Sequence, residues 1–379
     1  MLSKFYANYR DLISFNTTSS EIETNDKSNE ECIDYLISEL ELMNFKCSKI
    51  KVNNSNNKYN LIAKYGDGIG GIAFSGHTDT VPANNELWTF PPHSLTEHDG
   101  KLYGLGTIDM KGYFAFILEA LRRSNLSQAT KPIYVFATAD EETTMNGVIE
   151  LNSTCTEKPD LIVIGEPTSL IPVIMHKGHL VQQINIKGVG GHSSNPEKGL
   201  NAILIANEII LKLNELKEYL KANFIENLFP VNYPTLNIGI IEGGKAPNVI
   251  CDNCIIQFDI RAIPTLTNQQ LINITKDFLS PLFNKYKDNI SITYPYSGVE
   301  PFSCKEHPEI VNTVETITKT EAIAVNYCTE ATYLQNIAPT VILGPGSIDM
   351  AHQPNEYLDK KEIEPGINIY KKLISTFSI

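Results

Sequence analysis

Ile133-Tyr134-Val135-Phe136-Ala137-Thr138-Ala139 is an unbroken apolar run that ends in Asp140-Glu141-Glu142. A run of this kind, rich in β-branched and aromatic residues and stopped by polar ones, predicts a strand covered on both faces, as in a parallel sheet. Its end brings three acids to one place with no basic residue among them, and such a cluster calls for a cation. Working outward, Ile72 to Gly76 delivers His77-Thr78-Asp79, Leu161 to Gly165 delivers Glu166, and Val341 to Gly346 leads within a few residues to His352. Asp109 lies between the His77 and Glu141 segments, directly before the helix-like stretch Gly112 to Arg123. In an open α/β sheet, ligands gather beyond the carboxyl ends of the strands, where these positions converge. The pattern predicts a metal-dependent enzyme.

The chain has 379 residues, 42% of them hydrophobic, enough for two domains with buried cores. A net charge of -13 argues against a nucleic-acid partner, because phosphate binding needs clustered Lys and Arg. The acidity fits ordinary cytoplasmic solubility. Lys4, Arg10 and Asp11 interrupt the apolar residues of Met1 to Phe15, which reads as an amphipathic helix and lacks the core of a secretory signal. No stretch is long and apolar enough to span a membrane. Seven irregularly spaced cysteines fit free thiols in a reducing compartment. Cys251 and Cys254 form a lone pair, with no further ligands at the spacing of a structural zinc site.

Ser28-Asn29-Glu30-Glu31 reads as a capping box opening a helix with Ile33, Leu36, Ile37 and Leu40 on one face. Apolar runs then alternate with amphipathic helices to about residue 178, which predicts a mainly parallel sheet with helices on both faces. From Leu180 the pattern changes. Gln183, Asn185 and Lys187 alternate with Ile184 and Ile186, a half-exposed strand. A helix over Leu200 to Leu216, strands near Leu236 to Ile241 and Ile255 to Ile260, a helix over Gln269 to Phe283 and a strand near Ile290 to Tyr294 complete a βαββαβ order. That order is ferredoxin-like. The expected architecture is a catalytic metal-binding domain, 1–179 and 297–379, with a lid and dimerisation domain, 180–296, inserted into it. The Asn-rich stretch Asn53 to Asn57 reads as a turn between strands. The exposed edge strand of the insert predicts a homodimer formed through it.

Carboxylate and imidazole ligands without thiolate suit Zn²⁺, Co²⁺ or Mn²⁺, and their number exceeds what one tetrahedral ion takes, so two ions are expected. His77 and Asp79 are two apart, so in extended chain one can ligate while the other holds the ring. Glu141 and Glu142 are adjacent, and extended neighbours diverge, so only one is expected to face the metals. The other is free to act as general base.

Gly76-His77-Thr78-Asp79-Thr80-Val81-Pro82, Tyr103-Gly104-Leu105-Gly106 running into Asp109-Met110-Lys111-Gly112, Thr138-Ala139-Asp140-Glu141-Glu142 and Ile164-Gly165-Glu166-Pro167-Thr168 resemble the motifs of the M20 metallohydrolases. These are di-zinc aminoacylases, carboxypeptidases and desuccinylases. His176-Lys177-Gly178-His179, Gly191-His192-Ser193-Ser194, Asn326 to Ala331, and Leu343 to Ser347 through Ala351-His352-Gln353-Pro354 extend the resemblance over essentially the whole chain. It implies that Asp109 bridges two zinc ions, cobalt being an alternative. His77 and Glu166 would complete one site, and Glu142 and His352 the other. Glu141 would be the general base, Asp79 the orienter of His77, and His192 an oxyanion donor, from its own or a partner chain. A cis peptide between Asp109 and Met110 is also implied. His93, His98 and His307 read as surface residues.

The resemblance further implies a small N-acetyl amino acid substrate carrying an α-carboxylate and a side-chain ammonium. Arg261 is the candidate carboxylate clamp, since Gln257, Asp259 and Arg261 share one strand face and a guanidinium suits bidentate binding. Asn248 could add a hydrogen bond, and Glu330 is the candidate for the ammonium, against the simpler reading of a surface loop acid. Relatives acting on succinylated amino acids or dipeptides, a degenerate amino-acid-binding protein and a metal-free acidic scaffold are the competing readings.

Overall fold

The computed structural model describes residues 2–379, and the chain divides into two compact units. The larger runs up to Ile174 and resumes over Cys304–Ile323 and Thr329–Ile379; the smaller is Met175–Ser303 with Ala324–Cys328. The smaller unit thus starts before and ends after the expected 180–296.

In the larger unit the strands are β1 (Lys46–Lys51), β2 (Tyr59–Tyr65), β3 (Ile72–His77), β4 (Ile133–Thr138), β5 (Leu161–Pro167) and the start of β6 (Val173–His176). The smaller unit supplies β7 (Leu180–Lys187), β8 (Thr235–Gly243), β9 (Asn253–Arg261) and β10 (Ile290–Thr293), and the chain then returns with β11 (Thr340–Gly344). The large sheet runs β1-β2-β4-β3-β5-β11-β6. Its centre, β4-β3-β5-β11, is parallel, so the carboxyl ends of these four strands emerge at one edge. Every residue of the four is buried. Both faces are therefore covered, which is why these strands read as continuous apolar runs.

Helix α1 (Ser3–Ser14), α3 (Gly112–Arg122) and α9 (Ile363–Phe377) pack together, with α3 buried from Gly112 to Leu121 and α7 (Pro308–Thr318) against α9. Tyr370 of α9 lies edge-on to Tyr113, with ring centres 5.5 Å apart, and to Phe74 of β3 at 6.0 Å. Such pairs contribute about 0.5–1.5 kcal/mol beyond area burial. Gly165 is required here, because a Cβ at that position would sit 2.2 Å from the Tyr113 ring. Helices α2 (Glu30–Glu41) and α4 (Asn146–Thr154) pack against strands β1, β2 and β4.

The capping box expected at Ser28 does not form. The N-cap is Asn29, with no side-chain cap, because its amide group donates instead to Tyr59 O at 2.8 Å and Thr78 Oγ1 at 2.7 Å. Ser28 Oγ accepts from Glu30 N at 3.1 Å and donates to Asn57 O.

The smaller unit is the ferredoxin-like insert, an antiparallel sheet in the order β8-β9-β7-β10. Ile184, Ile186, Ile256, Phe258 and Ile260 pack with Ile205, Ile209 and Leu213 of α5 (Ala202–Asn223) and Leu271 and Leu279 of α6 (Asn268–Tyr286). Helix α5 outruns its expected end because Leu220 continues its buried stripe. Among the described residues, no helix is long and apolar enough to cross a membrane.

Candidate metal centre

The parallel strands deliver the site. His77 is the last residue of β3, Glu166 lies near the end of β5, and Glu141 and Glu142 follow β4. Asp109 precedes α3 and is joined to Met110 by a cis peptide bond. Asp109 Oδ1 is 3.1 Å from His77 Nε2, and its Oδ2 is 3.3 Å from His352 Nε2. One carboxylate thus presents an oxygen to each of two imidazoles. His77 Nε2 is also 3.7 Å from Glu166 Oε1, and His352 Nε2 is 3.0 Å from Glu142 Oε2. Within each of the trios His77-Asp109-Glu166 and Asp109-Glu142-His352, ligand atoms lie within 4.8 Å of one another. His77, Glu141 and Glu142 form a third such group.

The electrostatics are those of closely crowded carboxylates and imidazoles. Burial raises the Glu166 carboxyl well above its ordinary range, and the charges of Asp109, Glu142 and Glu330 add to the effect against the pull of His77. Burial also raises Glu141, with Glu166, Glu142 and Glu330 contributing. Asp109 goes the other way: burial would raise it, but the His352 and His77 rings hold it well below the usual carboxylate range. Hydrogen bonds to Asp109 and Glu142 push His352 up to about 11. Glu166 Oε1 is buried with no hydrogen-bond donor. A donor set of imidazole and carboxylate, with Asp109 shared between two trios and an unpaired buried oxygen, fits a pair of divalent ions.

Glu141 and Glu142 do not diverge. The chain leaves β4 and turns at once, with Asp140 in the left-handed region at φ 60°, so the rule for extended neighbours does not apply and both carboxylates reach the cluster. Asp79 holds this turn. It is fully buried, and its Oδ1 and Oδ2 accept the backbone N–H of Glu141 and of Glu142, each at 3.2 Å. The His77 ring is 3.0 Å from the Asp79 carbonyl and 3.6 Å from its carboxylate, so the closer contact is with the backbone.

Glu356 was not singled out by any motif. It is buried, and its carboxylate accepts from Gly106 N at 3.0 Å, Thr107 Oγ1 at 3.1 Å, Ile108 N at 2.7 Å and Asp109 N at 3.2 Å. Its only sequence signal is its place just after His352. It ties the Asp109 loop to the His352 loop.

Glu330 is not a surface loop acid. It is fully buried at the start of α8 (Ala331–Leu334), where no hydrogen bond of ordinary geometry reaches either carboxylate oxygen. Burial pushes it up to about 7, against the pull of His77 and the Thr138 hydroxyl. His93 is half-buried, its Nδ1 enclosed without a partner, whereas His98 is exposed.

In the smaller unit His192 and Asn248 are brought together. His192 pairs with Val249, and Ser193 N donates to Asn248 O at 3.1 Å. Both residues are exposed, and the His192 Nδ1 lies 2.7 Å from Ser194 Oγ. Arg261 ends β9, where its Nε donates to Asp259 Oδ2 at 2.9 Å. The other Asp259 oxygen is 3.0 Å from His179 Nε2. Neighbouring Lys177 is buried and lowered to about 8 by burial and then by the Arg261 charge.

A family model described as peptidase family M20/M25/M40 matches residues 73–376. The chain is 44% identical over 378 residues to acetylornithine deacetylase of Photorhabdus laumondii, covering 100% of this chain and 98% of that one. Aminopeptidase PepT from Bacillus cereus superposes with a TM-score of 0.76 at 20% identity, covering 99% of this chain and 98% of that one. Bacillus subtilis YXEP, described as a dinuclear metal binding peptidase from the M20 family, superposes at 0.68 with 15% identity, covering 99% and 97%. The matched stretch includes every residue of both carboxylate–imidazole trios, and the chain belongs to peptidase family M20/M25/M40.

Proposed function

We propose that this protein is a metal-dependent amidohydrolase that removes the acetyl group of N2-acetyl-L-ornithine, giving L-ornithine and acetate, as a step of arginine biosynthesis. The observation that carries the proposal is the sharing of Asp109 between two trios in a chain so similar, end to end, to an acetylornithine deacetylase. Zinc is the expected metal, with cobalt able to replace it. His77, Asp109 and Glu166 would hold one ion, and Asp109, Glu142 and His352 the other. Bound there, the ions would polarise the acetyl carbonyl and acidify a water.

The chain's own groups supply the rest. Glu141, grouped with His77 and Glu142 at the end of β4, takes a proton from the attacking water and passes it to the departing α-amine. Asp79 holds the Glu141 and Glu142 amides and the His77 ring in place. His192 donates to the developing oxyanion, a contact of a kind typically worth ~3 kcal/mol of barrier. Arg261, with Asn248, receives the α-carboxylate, and Glu330 the δ-ammonium. The unpaired oxygens of Glu330 support that role.

A homodimer through the insert is part of the proposal. Ile240 and Ile241 on the edge strand β8 are 43% and 54% exposed, and Leu204 and Leu211 on α5 are 65% and 56% exposed. The acidic charge and seven cysteines, none of them in a disulfide, fit the cytoplasm.

The test is a substrate panel on zinc-loaded protein. Hydrolysis of acetylornithine in preference to succinyl-diaminopimelate and dipeptides is expected, with activity lost on chelation and regained with Zn²⁺ or Co²⁺. Preference for a succinylated or peptide substrate would reassign the enzyme within its family, and full activity without bound metal would overturn the mechanism.

A further inference from the structure

We propose that Lys58 is a positioning residue for Glu141, acting through Asp140; the inference rests on the reading of Glu141 as general base. Lys58 is 1% exposed. A buried ammonium persists only where its charge and its hydrogens are matched. Its Nζ lies 2.8 Å from Asp26 Oδ1, 3.2 Å from Asp140 Oδ1 and 3.1 Å from Ser19 Oγ. Three acceptors meet three N–H groups.

Asp140 is the residue that turns the chain. Its φ of 60° is a conformation that L residues avoid, though Asp tolerates it better than most. Its carbonyl accepts from Thr144 N at 3.1 Å and Met145 N at 2.7 Å, closing the turn. Its side chain is anchored on both oxygens: Oδ1 accepts from Ser19 Oγ at 3.0 Å and faces Lys58, and Oδ2 accepts from Ser55 Oγ. The turn is what points Glu141 and Glu142 the same way. Lys58 therefore fixes the direction of Glu141 from behind the strand end, without touching the reacting atoms. It also recruits Ser19 and Asp26, which no motif marked.

The test compares Lys58→Met, Lys58→Arg, Asp140→Asn and the Lys58→Met/Asp140→Asn double variant with wild type, on whichever amide the wild type hydrolyses fastest. A different preferred substrate therefore revises the proposed function and leaves this comparison intact. A carboxylate misplaced by about 1 Å costs on the order of 10²-fold in rate. For Lys58→Met, kcat should fall by about that factor while KM stays within about threefold and the metal content is unchanged. Lys58→Arg should recover at least about a tenth of the wild-type kcat, and the double variant should lose no more than the worse single one.

A readout independent of activity is hydrogen exchange at the Glu141 and Glu142 amides, which should quicken in Lys58→Met with and without metal. Wild-type kcat in Lys58→Met, unchanged exchange there, or loss of metal in parallel with kcat overturns the proposal. Should Lys58→Met not fold, Asp26→Ala and Ser19→Ala each remove one acceptor and should lower kcat by about three- to tenfold at constant metal content. Wild-type kcat in both overturns it equally.

Discussion

Replacing Glu356 by glutamine changes a single buried atom, yet the contacts around it make a large effect expected. Glu356 Oε1 takes three donors, from Thr107, Ile108 and Asp109, and Oε2 takes the Gly106 N–H. A glutamine can keep its carbonyl at the first position only by placing its NH₂ against the Gly106 N–H, where donor meets donor. One orphaned buried donor costs about 1–3 kcal/mol, and the three retained bonds weaken because hydrogen bonds to a charged acceptor are worth more than neutral ones. We expect a total of ~3 kcal/mol, or roughly 6–12 °C in the unfolding temperature of a unit of this size. Because one of the donors is the backbone of Asp109, metal affinity should also fall by about 10–100-fold. The single tryptophan, Trp88, lies in the larger unit, so its fluorescence follows that unit without interference from the insert. Burial and then the Asp109 charge push Glu356 up to about 7, so the comparison belongs at about pH 8, where the wild-type carboxylate is ionised. Thermal unfolding of metal-free protein and a chelator-competition titration of Zn²⁺ are the assays. Unchanged unfolding temperature together with unchanged affinity would refute the reasoning; Glu356→Ala, which orphans the three backbone donors of Gly106, Ile108 and Asp109 while Thr107 Oγ1 keeps Gly104 O, should exceed Glu356→Gln in both.

Glu141→Gln should keep its metals and lose about 10²-fold or more in turnover; loss of metal there, with retention in Glu142→Gln, would mean the two roles are exchanged. His352 is held at about 11 by its hydrogen bonds to Asp109 and Glu142, and Glu142 and Glu166 are raised by burial, so at neutral pH the metal-free site carries protons that an incoming cation must displace. Loading should release protons and tighten as pH rises, read by calorimetry in two buffers of different ionisation enthalpy; absence of buffer dependence refutes it. The same shift stabilises the metal-free fold fully below the ordinary histidine value of 6.5 and is lost as pH climbs toward about 11. Glu330→Gln should lose efficiency on acetylornithine far more than on acetylmethionine, which has no ammonium, and equal losses would assign Glu330 to structure or catalysis in general. Mixing inactive His192→Ala with inactive Glu141→Gln should restore activity on subunit exchange if His192 serves the partner's site, and no recovery despite proven exchange places it in its own chain.

The strands that carry the ligands were legible because β3, β4, β5 and β11 are buried on both faces and so appear as continuous apolar runs. The insert was legible for the opposite reason: one face of β7 is half-exposed, which imposes alternation. What the sequence concealed depends on partners far away in the chain. The direction of Glu141 and Glu142 follows from the φ of Asp140, held by Lys58 and Ser19, and nothing within the tripeptide reveals it. The Ser28 capping pattern was overridden because Asn29 found Tyr59 and Thr78. Glu356 and Lys58 act on loops or turns separated from them by much of the sequence, and an isolated acid or lysine carries no periodic signal. Glu330 looked like a loop acid because the helix it precedes is a single turn.

The position of β11 sets the order in which the molecule can be made. This strand is laid between β5 and β6, both of which leave the ribosome long before it does, and His352 and Glu356 emerge later still. The nascent catalytic sheet therefore waits with the edge of β5 unpaired, while the packed interior of the insert, drawn from residues between Leu180 and Ile290, is available as one continuous stretch. Domains generally fold as units during synthesis, so the insert completes its core first and the cation is captured last. Translation speed through the insert then governs how long an adhesive strand edge stays open, and a truncation shortly before Thr340 should yield a folded insert attached to an aggregation-prone remainder.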